Sequence, residues 1–137
     1  MSTYVKYKEV MYPITEEDIK KIGFDNFEDY WDTFSWNYQE NDNFELQYPI
    51  TEIDDKWVGN YYLCYILEYE WGCNSNDFGK NRLLTPTEQA KYKEIFSKKL
   101  KDVEPLKFKL VEFCYYNACD APDYYLKEDT DNFNKEI

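Results

Sequence analysis

The twelve residues from Asn60 to Trp71, NYYLCYILEYEW, constrain the fold more than any other stretch of the chain. Tyr61, Leu63, Tyr65, Leu67, Tyr69 and Trp71 fall on one face at period two, with Glu68 and Glu70 opposite, which is the pattern of a half-buried strand. Such a strand needs neighbours for its backbone N–H and C=O groups. Three further segments supply them. From Thr3 to Met11, Tyr and Val alternate with Lys and Glu until Tyr12-Pro13 stops the pattern, and Phe44 to Ile50 is interrupted by a second Tyr-Pro. From Leu106 to Tyr116, Leu106, Phe108 and Leu110 alternate with Lys107 and Lys109 before the run becomes continuously apolar, as in a strand covered on both faces.

Helix signals lie between these strands. Thr15-Glu16-Glu17-Asp18 reads as a hydroxyl cap followed by first-turn acids, and Gly23 closes that helix. Between Asp25 and Tyr38, Phe27, Tyr30, Trp31, Phe34 and Tyr38 recur at spacings of three and four, with Glu28, Asp29 and Asp32 off the stripe. Thr85-Pro86-Thr87-Glu88 opens a helix to about Leu100, with Tyr92, Ile95, Phe96 and Leu100 on its buried side. Gly72 to Asn81 reads as a polar loop. This order predicts an α+β domain with a mostly antiparallel sheet of about four strands and two or three helices. At 137 residues the chain fits one domain. Residues 1–119 are expected to form it, with 120–137 an acidic, partly mobile tail.

One internal echo stands out. Tyr12 to Gly23 matches Tyr48 to Gly59 at eight of twelve positions, 36 residues apart. A duplication predicts two similar acidic helical corners; shared turn chemistry accounts equally well for a likeness of only two copies.

Charge alone would argue for disorder, since the chain carries a net −12, but it also holds 15 Tyr, 9 Phe and 4 Trp. Aromatics at this density supply a core, and the polar ends of Tyr and Trp also suit a binding surface. The acidity makes nucleic acid a poor direct ligand, because binding it rests on Lys and Arg displacing phosphate counterions. The chain has no histidine, so the commonest general base and metal ligand is missing. There is no Gly-rich phosphate loop and no G-x-S-x-G elbow, and carboxylates are too abundant for spacing to single out a glycosidase pair. No enzymatic activity, resident metal or other cofactor is expected.

Cys64, Cys73, Cys114 and Cys119 are spaced C-x8-C and C-x4-C, with no histidine to complete a zinc finger. They read as buried thiols of a reducing cytoplasm, in keeping with a start that lacks the apolar run of a secretion signal. A small cysteine-liganded metal protein, with Asp120 and Asp123 adding oxygens, is the alternative. No run approaches the ~18 apolar residues of a membrane span. The segment from Asn117 to Tyr125 mixes Cys, Asp and Tyr around Pro122, as either a binding loop or an Asx turn.

The charge is polarised. From Glu16 to Asp55 there are thirteen acids against Lys20 and Lys21, whereas from Lys80 to Lys109 there are nine bases against four acids. A solvated surface produces such asymmetry, and so does an acidic face that docks on a basic groove. The candidate partner-binding residues are Glu16, Glu17, Asp18, Asp25, Glu28, Asp29, Asp32, Glu52, Asp54 and Asp55. In size, acidity, aromatic richness and this acid cluster, the chain resembles the small inhibitor proteins of phages and mobile elements, notably anti-CRISPR and antirestriction proteins. The likeness is one of composition. It implies a non-enzymatic protein of the bacterial host cytoplasm whose acidic side chains occupy the nucleic-acid groove of a basic partner, such as a CRISPR effector nuclease. An immunity protein or antitoxin that neutralises a basic toxin has the same physical character.

Overall fold

The structure, a computed structural model, describes residues 3–33, 43–48, 50–53, 55–71, 80–117 and 125–126. In chain order the elements are β1 (Thr3–Pro13), α1 (Glu16–Lys20), α2 (Phe27–Trp31), β2 (Phe44–Gln47), β3 (Ile50–Ile53), β4 (Lys56–Gly59) and β5 (Tyr62–Trp71). There follow β6 (Lys80–Leu83), α3 (Pro86–Phe96), a 3-10 turn (Pro105–Lys107), β7 (Lys109–Asn117) and β8 (Tyr125–Leu126).

The predicted α+β class holds, with five strands in the main sheet rather than four. Its order is β2-β5-β1-β7-β6, antiparallel throughout. The fifth strand, β6, is a short charged edge segment, Lys80-Asn81-Arg82-Leu83, paired with Lys109 to Glu112. Four residues are too few to show period two, and charge is what an outer edge tolerates. The sequence pattern therefore assigned its first two residues to the loop, whose remainder lies outside the described residues.

Val10 and Tyr12 of β1, Leu63 of β5, Leu110 of β7 and Phe108 just before β7 join Ile19 of α1 and Tyr92 and Phe96 of α3 in one core. Its centre is aromatic: the Phe96 ring lies 5.1 Å from Phe44 and 4.9 Å from Phe108, both edge-on. Tyr12 stacks obliquely on Phe108 at 5.1 Å and its hydroxyl accepts the Glu104 N–H at 2.9 Å, so burial leaves that end satisfied. The alternate residues Met11, Tyr62, Cys64, Ile66 and Val111 are buried as well. The first half of β5 is thus covered on both faces instead of half-buried.

Both sequence caps form. Asp18 N–H donates to Thr15 Oγ1 at 3.2 Å while Thr15 N–H donates back to Asp18 Oδ2 at 2.8 Å, and Gly23, at φ +99°, ends the turn after α1. Thr85 and Glu88 make the same reciprocal pair at α3. The Glu88 carboxylate also accepts both Nη atoms of Arg82, at 2.7 and 2.9 Å, in a buried ion pair that fastens β6 to the helix.

The echo folds two ways. Tyr12–Gly23 gives a strand end and α1, whereas Tyr48–Gly59 gives the hairpin β3–β4, with Ile50 opposite Gly59 and Ile53 opposite Lys56. The deciding position is Ile19, which is fully buried and holds α1 to the core. Its counterpart is Asp55, which instead takes φ +62° in the hairpin turn, and the following Trp57-Val58 favours strand. The second acidic helical corner therefore does not exist.

Two further boundaries differ. Leu106 is 76% exposed in the 3-10 turn, because Pro105 starts a tight turn before β7 can begin at Lys109. The described part of the Asp25–Tyr38 helix is α2, on which Tyr30 is buried and Trp31 is exposed; Phe34 and Tyr38 lie outside the described residues. Within 120–137, Tyr125–Leu126 pairs in parallel with Ile50–Thr51. The rest of that segment, including Asp120 and Asp123, lies outside the described residues.

Candidate protein-interaction surface

Helices α1 and α2 adjoin, and together they carry Glu16, Glu17, Asp18, Asp25, Glu28, Asp29 and Asp32. All but Asp18 are exposed. Asp18 is spent on the α1 cap and faces Lys107, whose ammonium is held above its usual range chiefly by Glu104, with Asp18 adding to the effect. Among the described residues, none of the other six forms an ion pair; Lys21 turns instead to Asp102 at 3.4 Å. Asp55 is exposed in the β3–β4 turn. Glu52 sits in β3 opposite Trp57, and Asp54 lies outside the described residues. The structure thus brings the α1 and α2 acids together on one lobe.

Helix α2 is electrostatically frustrated. Asn26 caps it by accepting the Asp29 N–H at 2.9 Å, and Glu28 and Asp29 suit the first turn. Asp32, however, is the C-cap, where the helix dipole disfavours a negative charge, and the last turn holds no base. Asp25 with Asp29 and Glu28 with Asp32 are like-charged at spacing four. The chain has no Lys or Arg between Lys21 and Lys56 to offset them.

Beside these acids runs an aromatic rim centred on Tyr61. Phe27 of α2 stacks flat on the Tyr61 ring, 4.0 Å between centroids and 13° from parallel; Trp31 meets the same ring edge-on at 6.4 Å. Tyr48 packs against its edge at 4.7 Å. The Tyr61 carbonyl accepts the Ile14 N–H at 3.0 Å, which ties the rim to the start of α1. Gly59 leaves room for Tyr48 in this position, since a Cβ there would stand 2.5 to 2.8 Å from the far end of its side chain. Trp31, Tyr48 and Val58 remain 42%, 52% and 45% exposed. The stripe spacing on α2 placed Phe27, Tyr30 and Trp31 on a core-facing side; Tyr30 is buried and Phe27 packs against the core, whereas Trp31 is exposed.

A second cluster escaped sequence reading altogether. Glu9, on the central strand, is fully buried, with its carboxyl beside Glu45 and Cys64. Burial, then the nearby Glu45 carboxylate, pushes its pKa well above 4.5, which favours the neutral acid. Burial and Glu9 likewise raise the Cys64 thiol, which disfavours the thiolate form there. Gln47 hydrogen-bonds the Glu45 carboxylate from the same strand. Among the described residues, no three Cys, Asp or Glu side chains gather as a metal site. Cys64 pairs with Met11 and Cys114 with Lys6, five β1 residues apart, or about 16 Å along a strand. These two cysteines therefore share no metal; Cys73 and Cys119 lie outside the described residues.

No known protein family, curated protein or solved structure matches the chain. Among the described residues, no helix is long and apolar enough to cross a membrane.

Proposed function

We propose that this protein is a non-enzymatic inhibitor that lays the α1–α2 lobe and its aromatic rim on a basic, nucleic-acid-binding surface of another protein. One observation carries the reading: α2 keeps unpaired carboxylates at both ends, Asp32 included, beside an exposed indole. In the free protein that arrangement costs stability, whereas a cationic groove relieves the repulsion and covers the aromatics. The acids steer encounter and the aromatic side chains anchor the complex. A groove built for phosphates supplies the complementary charge, and a bacterial CRISPR effector nuclease is the partner that the compositional resemblance favours. Action would then be in the host cytoplasm, by exclusion of nucleic acid and with no covalent step.

Competition tests the proposal. A CRISPR effector loaded with guide is equilibrated with labelled target DNA and titrated with the protein. Displacement is expected at low salt, weakening as salt rises, and is lost in the Glu28→Lys/Asp32→Lys variant but kept in Glu94→Lys on α3. No displacement, or equal loss in both variants, refutes it.

A further inference from the structure

The rim and the α2 carboxylates together have a shape that distinguishes one cation from another. Glu28 and Asp32 are one turn apart, Asp32 as the C-cap of α2, so their Cβ atoms stand about 5–6 Å from each other on one side of the helix. Trp31 lies three residues beyond Glu28, a spacing that makes the two neighbours on the helix surface. Trp31 is 42% exposed and approaches Tyr61 edge-on. Tyr61 is itself fixed by the stacked Phe27 and by Tyr48 over Gly59, so Trp31 is backed by a braced aromatic row.

Resting on the docking reading above, we infer that this face takes an arginine side chain of the partner, with the guanidinium lying on Trp31 and its N–H fork shared between Glu28 and Asp32. The planar guanidinium stacks on an aromatic face and donates in two directions at once. It also sheds water more readily than an ammonium. A lysine can satisfy one carboxylate as a point charge, but it stays strongly hydrated and forgoes the planar stacking. Arginine is also the side chain that lines phosphate-recognising surfaces with bidentate geometry, so the preference selects among basic grooves instead of treating all positive charge alike.

Calorimetric titration of the full chain at low ionic strength with two Gly/Ser-spaced peptides of equal length and charge, one carrying arginines and the other lysines, tests the inference. The arginine peptide binds about tenfold more tightly, the size of one partly desolvated cation–π contact. That preference disappears in Trp31→Leu and in Asp32→Asn, each checked by circular dichroism for an unchanged fold. Equal affinity of the wild-type protein for the two peptides overturns the arginine site and leaves the acidic docking surface standing. Binding of neither peptide above an uncharged control overturns both.

Discussion

The Arg82 guanidinium reaches Glu88 through both Nη atoms, at 2.7 and 2.9 Å, and that same carboxylate accepts the Thr85 N–H that closes the cap of α3. One buried group therefore serves both the edge of the sheet and the start of the helix. Removing either partner strands a charge in the interior. Arg82→Ala and Glu88→Ala are each expected to lower unfolding free energy by about 3–5 kcal/mol in urea titrations. The double variant should cost clearly less than the sum of the two; additive losses would mean that the pair is not coupled.

Glu9 makes stability fall as pH rises. Its folded pKa is raised above the ordinary 4.5, so above that value the unfolded chain has released a proton that the folded protein still holds. The stabilisation is complete below the unfolded pKa and is lost as pH climbs through the folded one, with a slope of up to about 1.4 kcal/mol per pH unit. Glu9→Gln, which cannot ionise, should flatten the curve from pH about 5 upward and exceed the wild type at neutral pH. Parallel wild-type and variant curves would contradict this account.

Asp32 should trade stability against binding. Asp32→Lys places a cation at the C-terminus of α2 and removes the like-charge pair with Glu28. A gain of about 0.3–1 kcal/mol in thermal or urea unfolding is expected. The same variant should lose affinity for a cationic partner. A destabilised Asp32→Lys protein would show that the carboxylate has a structural role not visible in its surroundings.

Gly59 positions Tyr48 without holding up the core. A methyl group at residue 59 collides with the far end of the Tyr48 ring, which is half-exposed and free to swing away. Gly59→Ala should therefore cost no more than about 1 kcal/mol, yet weaken partner binding as much as Tyr48→Ala does. Unchanged binding in both variants would remove Tyr48 from the interaction surface.

The parts of this fold that announce themselves are those in which local chemistry and burial agree. Thr85-Pro86-Thr87-Glu88 opens α3 where expected, and the alternation in β1 and β5 places two neighbouring strands. The helices that carry the acids were legible too, α1 from its cap and first-turn charge and α2 from its apolar stripe. What escaped depends on distant partners. The twin of the α1 sequence became a hairpin because Asp55 replaces the one side chain that α1 buries, and β6 exists only because β7 accepts it. Glu9 follows Lys8 in a polar pair that reads as solvent-facing, yet the register with β5 slips between those two residues and both sheet faces are covered there. No run of neighbouring letters encodes that cover.

The placement of β1 at the middle of the sheet also sets a timetable for the ribosome. Strand β1 pairs on one side with Tyr62–Trp71 and on the other with Lys109–Asn117, so its two ladders cannot both close until Asn117 has emerged. Folding waits on partners far apart in sequence, which slows it. Because Tyr61 joins the aromatic rim to this sheet, that row is not braced on the ribosome before the β1 ladders have closed.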